Sequence, residues 1–134
     1  MKPFLLEGAW EANLSQSQRD PNHQFQQLTL HFEVSDEVVS LTFYGINKTG
    51  EPVSGTRKIH PDGKEYPVGE VPGVVEIARW VEPSILETVF RHEGNAVSES
   101  AYEVSTDGKR LTSTAKGVDA SGTPFEQVIV LDRV

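Results

Sequence analysis

The residues able to do chemistry are few and scattered. The four histidines are His23, His31, His60 and His92, and none forms a close metal pair such as His-x-His or His-x-x-x-His. No cysteine is present, which excludes disulfides, thiolate catalysis and Cys-ligated metal. Serines are plentiful, yet none stands in Gly-x-Ser-x-Gly and no Ser-His-Asp order is legible. Gly69-Glu70-Val71-Pro72-Gly73 lacks the Gly-Lys-Thr continuation of a phosphate cradle. The carboxylates sit at turns and on strand faces, with no pair suited to general acid–base work. The sequence therefore calls for no metal and no cofactor. The only team that would act on a substrate is His31, Glu33, Arg79 and Tyr102, and it would have to converge inside one cavity. For His31 and Glu33 the plainer reading is a solvated outer strand face.

Two strand arginines add a binding possibility. Arg79 falls on the face of Val75, Ile77 and Val81, opposite Glu76 and Trp80. Arg91 falls with Val89 and Glu87, opposite Phe90. An arginine on an apolar interior face must be paired or must meet an anionic ligand, because an unpaired buried charge is costly. Tyr44 and Tyr102 would add hydroxyls to such a site. Glu99 and Glu103 would equally neutralise the arginines, and outward charges in cross-strand pairs are the plainer reading. Which face of residues 74–104 is interior stays open at this level. Trp80 either lines a pocket or plugs a floor, and the rim or pocket is favoured.

The elements that must position these residues are strands. Asn47-Lys48-Thr49-Gly50, Pro61-Asp62-Gly63, Glu93-Gly94-Asn95, Asp107-Gly108 and Asp119-Ala120-Ser121-Gly122 carry turn residues suited to positive φ. Between them, runs rich in Val, Ile, Thr, Phe and Tyr predict strands at about 8–14, 26–35, 37–45, 53–60, 74–81, 85–92, 96–104, 110–118 and 124–133. Leu28, Leu30, Phe32 and Val34 alternate with Thr29, His31 and Glu33, the pattern of a sheet with one dry face. Residues 15–24 read as a polar loop. Residues 61–73, with three prolines and three glycines, read as a long irregular connection or an edge, and loops of that length often serve as lids. The whole chain, residues 1–134, reads as one domain. The fold class is all-β, a single antiparallel up-and-down barrel of roughly eight to ten strands.

Charge and hydropathy narrow the partners. Twelve Lys and Arg against twenty Asp and Glu give a net charge of −8. That acidity disfavours nucleic acid and anionic membrane surfaces and suits a monomer or small homo-oligomer. No apolar run approaches the roughly 20 residues of a membrane span. The opening stretch is too short for a secretory signal, so a cytoplasmic location is expected.

Gly8-x-Trp10 at the start and Arg133 at the end resemble the lipocalin and calycin superfamily. There, an indole from the first strand lies across the closed end of the barrel and an Arg from the last strand packs over it. More closely, Gly8, Trp10 and Asn13 with Pro61-Asp62-Gly63-Lys64 are similar to small bacterial lipocalin-like proteins. The resemblance implies a structural role in barrel closure for Gly8, Trp10 and Arg133. There are departures. The helix-turn-helix lid of fatty-acid-binding proteins is not evident, and the last strand lacks the Arg-x-Tyr pair that holds a fatty-acid carboxylate. The first strand lacks the Gly-x-Trp-x-Gly-x-Gly run of haem-binding nitrobindin-like barrels, and no His lies in the last strand, so haem is not expected. The leading functional expectation is binding of a small apolar or amphipathic molecule, in a pocket lined by Phe32, Phe43, Tyr44, Trp80, Phe90 and Tyr102, with Arg79 or Arg91 as a polar anchor. The alternatives are a barrel enzyme built on the team named above, and a filled barrel acting as a protein-interaction module.

Overall fold

The computed structural model describes residues 4–18, 25–35, 37–68, 72–118 and 122–134. A single 3-10 turn, Phe4–Leu6, precedes ten strands: β1 (Gly8–Gln18), β2 (Phe25–Val34), β3 (Val39–Asn47), β4 (Pro52–Ile59), β5 (Asp62–Pro67), β6 (Val74–Glu82), β7 (Ile85–His92), β8 (Asn95–Val104), β9 (Arg110–Val118) and β10 (Pro124–Arg133). All pair antiparallel in one sheet of order β4-β3-β2-β1-β10-β9-β8-β7-β6-β5. The turn chemistry explains the meander. At the β7–β8 hairpin, Glu93 and Gly94 have φ of 52° and 84°, the two left-handed residues that match a two-residue turn to the twist of its strands.

One element differs from the sequence reading and a second decides between its alternatives. Residues 15–18 continue β1 where a loop is expected. A bulge between Asn13 and Gln18 admits them, and Ser17 Oγ bridges it by donating to the Asn13 carbonyl at 2.7 Å and accepting from Val130 N–H at 2.9 Å. Residues 19–24, including His23, lie outside the described residues. Asp62–Pro67 is a strand at the edge of the sheet, the second of the two sequence alternatives. Its prolines are tolerated because an edge strand has one side without a ladder. The lid expected further along falls partly on residues 69–71, also outside the described residues.

The first and last strands meet in the middle of the sheet, with Trp10 opposite Arg133. The two sheet edges are instead β4 and β5, neighbours in the chain joined only by His60 and Pro61. The barrel therefore has a seam there, and side chains have to cover what the ladder does not.

Burial runs in one direction along the barrel. At one end Leu6, Trp10, Val39, Ile59, Leu86, Leu111 and Leu131 are fully buried. Trp10 N–H donates to the Leu6 carbonyl at 3.0 Å, and the Arg133 guanidinium lies 4.0 Å from the indole. The same guanidinium donates to the carbonyls of Leu5, Glu7 and Gly108 at 2.7, 2.8 and 2.7 Å. It thus ties the 3-10 turn and the β8–β9 turn across the floor. Gly8 has a φ of 123°, and a Cβ there would stand 2.7 Å from Arg133 Nη1, so any side chain is strained there and displaces the guanidinium. Toward the other end the inward positions become half-buried on every wall: Leu14, Leu28, Phe43, Gly55, Val74, Phe90, Ser98, Ala115 and Phe125.

Candidate functional site: the barrel interior and its seam

Alternation places distinct chemistry on the two interior walls. On β2 and β3 the inward residues are Leu28, Leu30, Phe32, Leu41 and Phe43. On β7 to β10 Thr88, Ser98, Ser100, Ser113 and Gln127 share the inward face with Leu86, Phe90, Tyr102, Leu111, Ala115, Phe125, Ile129 and Leu131. The β2–β3 wall is apolar throughout, whereas the β7–β10 wall sets hydroxyl and amide groups among its apolar side chains. Thr88 Oγ1 and Gln127 Oε1 are buried without a hydrogen-bond partner among the described residues. Buried polar atoms in folded proteins nearly always have one, so these two atoms mark where a bound molecule or water would be held.

Between the walls sits an ion pair. Arg57 Nη1 donates to Glu76 Oε2 at 2.5 Å, linking β4 to β6 across the seam. The Glu76 side chain is 9% exposed and that of Arg57 35%. The guanidinium lies 5.5 Å from the Phe90 ring centroid, and the Phe32 and Tyr102 rings meet edge to face at 5.3 Å. Burial works to lower the Arg57 pKa, but the Tyr102 oxygen and the Glu76 carboxylate together outweigh it and hold the group above its ordinary value. Arg57 is a fixed cation.

The structure divides the residues that the sequence singles out. Phe32, Phe43, Phe90 and Tyr102 face inward. Trp80 also packs on the core, but beside fully buried Leu86 and toward the floor, not at the rim. Tyr44, Arg79 and Arg91 do not line the interior. Tyr44 is 56% exposed, on the face opposite Phe43. Arg91 is exposed at the end of β7. Arg79 stands opposite Glu87 and pairs with it at 3.5 Å on the outer surface. The cross-strand reading of these arginines is the one the geometry takes. The interior phase of β6 is Glu76, Ala78 and Trp80, and the apolar-looking set Val75, Ile77 and Val81 faces out. His31, Glu33 and Arg79 share the outside while Tyr102 is buried inside, so the four do not converge. Among the described residues no cluster of His, Asp and Glu is arranged to hold a metal ion.

Arg57, Glu76, Thr88 and Gln127 are absent from the sequence-level set. The signal for Arg57 lies in β4, where Ser54, Thr56 and Lys58 form a polar outer series that leaves Arg57 on the face of Ile59. For Thr88 it is the position midway between Leu86 and Phe90. A cavity of about 240 Å³ opens at the seam beside Arg57, His60, Tyr66 and Glu76. A groove of about 370 Å³ on the outer face of β7–β10 is edged by Glu87, Glu99, Lys116 and Glu126, but Lys116 is already paired with Glu99 at 3.0 Å.

Ten antiparallel strands in meander order, with a Trp–Arg floor, form an up-and-down antiparallel β-barrel. Among solved structures, the chain is similar to the fluorescent protein UnaG, at 16% identity over 96% of each chain with a TM-score of 0.68. It is similar to zebrafish ileal bile acid-binding protein complexed with cholic acid, at 18% identity over 97% of this chain and 99% of that one, TM-score 0.65. Lobster apocrustacyanin A1 aligns over 97% of this chain and 61% of its own, at 12% identity and TM-score 0.53. No protein-family model and no curated protein matches the chain in sequence. Among the described residues no helix is long and apolar enough to cross a membrane.

Proposed function

We propose that this chain, as one domain, is a small-molecule-binding protein that holds a single apolar or amphipathic ligand in the less buried half of its barrel. The observation that carries the reading is that Thr88 Oγ1 and Gln127 Oε1 are buried without a partner among the described residues, on an inner face that is otherwise largely apolar. An apolar face of the ligand would cover Leu28, Leu30 and Phe43, and its polar groups would meet Thr88, Ser100 and Gln127. Gln127 Oε1 accepts only, so the ligand would present an O–H or N–H to it. The zebrafish protein of like fold binds bile acid and is complexed with cholic acid, which supports a ligand with both polar and apolar surface. Membrane and nucleic-acid partners are disfavoured by the charge of −8. Titration with the neutral dye N-phenyl-1-naphthylamine tests the reading. Saturable, blue-shifted emission with one dye per chain is expected, and no enhancement up to the dye's solubility limit would refute it.

A further inference from the structure

We infer that the pocket at the β4–β5 seam is an anion-recognition site in which Arg57 receives the negatively charged head of an amphipathic ligand whose apolar body lies in the barrel. This rests on the interior-binding reading and adds to it where the head sits and what charge it carries.

The seam is the one place where the order of the sheet leaves two neighbouring strands without a ladder between them, and a cavity of about 240 Å³ occupies it. Arg57, Lys58, His60, Tyr66 and Glu76 border that cavity. Within it the Arg57 guanidinium meets the Glu76 carboxylate, with Lys58 on the outer face of β4 and Asp62 held by Tyr66 at the rim. The carboxylate offsets part of the guanidinium's attraction for an anion, but it lies on the buried side of the pair. Glu76 is nine-tenths buried and already engaged by Arg57, while the guanidinium keeps 35% of its side-chain surface exposed. An entering anion therefore meets the guanidinium first. A guanidinium carries five N–H donors in a planar fork. Glu76 takes one, which leaves donors for a carboxylate, sulfonate or phosphate oxygen.

Arg57 also belongs to the interior. It lies on the inward face of β4 and over the Phe90 ring at 5.5 Å, so a ligand whose head bonds Arg57 has its body directed between Phe90 and Phe43. The stacked pair His60 and Tyr66, with ring centroids 4.1 Å apart, forms the outer side of the pocket. Tyr66 O–H is itself committed to Asp62.

Two dyes with the same anilinonaphthalene body separate charge from apolar fit: 1-anilinonaphthalene-8-sulfonate and neutral N-phenyl-1-naphthylamine. Glu76→Gln frees the guanidinium and should tighten the sulfonate dye about fivefold, leaving the neutral dye within about twofold. The double change Arg57→Met with Glu76→Met removes both charges without leaving one buried alone. It should weaken the sulfonate dye about fivefold or more, with the neutral dye again unmoved. Opposite signs from the two variants cannot arise from simple loss of structure, and retained binding of the neutral dye reports the fold. If the neutral dye binds but the sulfonate dye ignores both variants, or the two dyes shift together, the seam site is wrong and the interior reading stands. If the neutral dye does not bind the unaltered chain at all, the interior reading falls and the seam site falls with it.

Discussion

Truncating Trp10 to alanine probes the floor of the barrel, and its cost can be worked from the contacts. The indole is fully buried. Removing a large buried aromatic costs about 3–5 kcal/mol through lost transfer free energy and the cavity left behind. Two losses specific to this site place the value in the upper part of that range. The Leu6 carbonyl loses the indole N–H at 3.0 Å, and the Arg133 guanidinium loses the ring 4.0 Å away. For a chain of 134 residues, 1 kcal/mol corresponds to about 3.5 °C in Tm, so a loss of about 4–5 kcal/mol lowers it by roughly 14–18 °C. Urea unfolding measures the loss at constant temperature, with Trp80 as the remaining fluorophore, since the chain has only two tryptophans. Trp10→Phe, which keeps most of the ring but deletes the N–H, should lose about 1–2 kcal/mol. A loss under about 1 kcal/mol for the alanine variant would refute the view that this indole, buttressed by Arg133, closes the barrel.

Three further outcomes follow from particular contacts. Gly8→Ala meets both a φ of 123° and Arg133 Nη1 at 2.7 Å; thermal unfolding should show a loss of about 1–3 kcal/mol, and an unchanged Tm would contradict the described floor. Arg57→Met alone strands a buried carboxylate and should cost about 1–3 kcal/mol, less than a fully enclosed pair because Arg57 is 35% exposed. Adding Glu76→Met should recover most of that in urea midpoints, and a double variant weaker than the single would count against the ion pair. The Asp62 carboxylate accepts from Tyr66 O–H, which holds the Tyr66 pKa above its ordinary value and the Asp62 pKa below its own. A raised phenol pKa contributes stability below the ordinary tyrosine value and loses it as pH rises through the folded one. The depressed carboxylate contributes above the ordinary carboxylate value and loses its share as pH falls through the folded one. Asp62→Asn should move one phenolate step of an ultraviolet titration to lower pH, and a titration identical to the parent's would exclude that hydrogen bond.

Much of the strand order was legible because turn residues are locally determined. Gly50, Gly94 and Gly108 all adopt positive φ at the turns where the sequence places them. The phase of β6 was not legible. Val75, Ile77 and Val81 are the more apolar set, yet they face out, because the interior at this height is where Glu76 meets Arg57. Hydropathy assigns a face by counting apolar residues, and it fails where a buried ion pair occupies the inner face. The prolines of residues 61–73 hinted at an edge at β5, but nothing local to β4 states that it is the other edge, a fact set by how the remaining strands wrap. The interior hydroxyls were obscured because Ser98, Ser100 and Ser113 look like solvent-facing residues until Tyr102 and Leu111 fix the phase of β8 and β9.

The most direct test of interior binding fills the less buried half of the barrel from within. Ala115 faces inward between Ser100 and Gln127, while its neighbour Thr114 is exposed on the outer face. N-phenyl-1-naphthylamine affinity should fall by about tenfold or more in Ala115→Trp, provided cooperative unfolding is retained, and stay within about twofold in Thr114→Trp. Equal affinity in the two variants, or loss only in Thr114→Trp, would place the ligand outside the barrel and contradict the account.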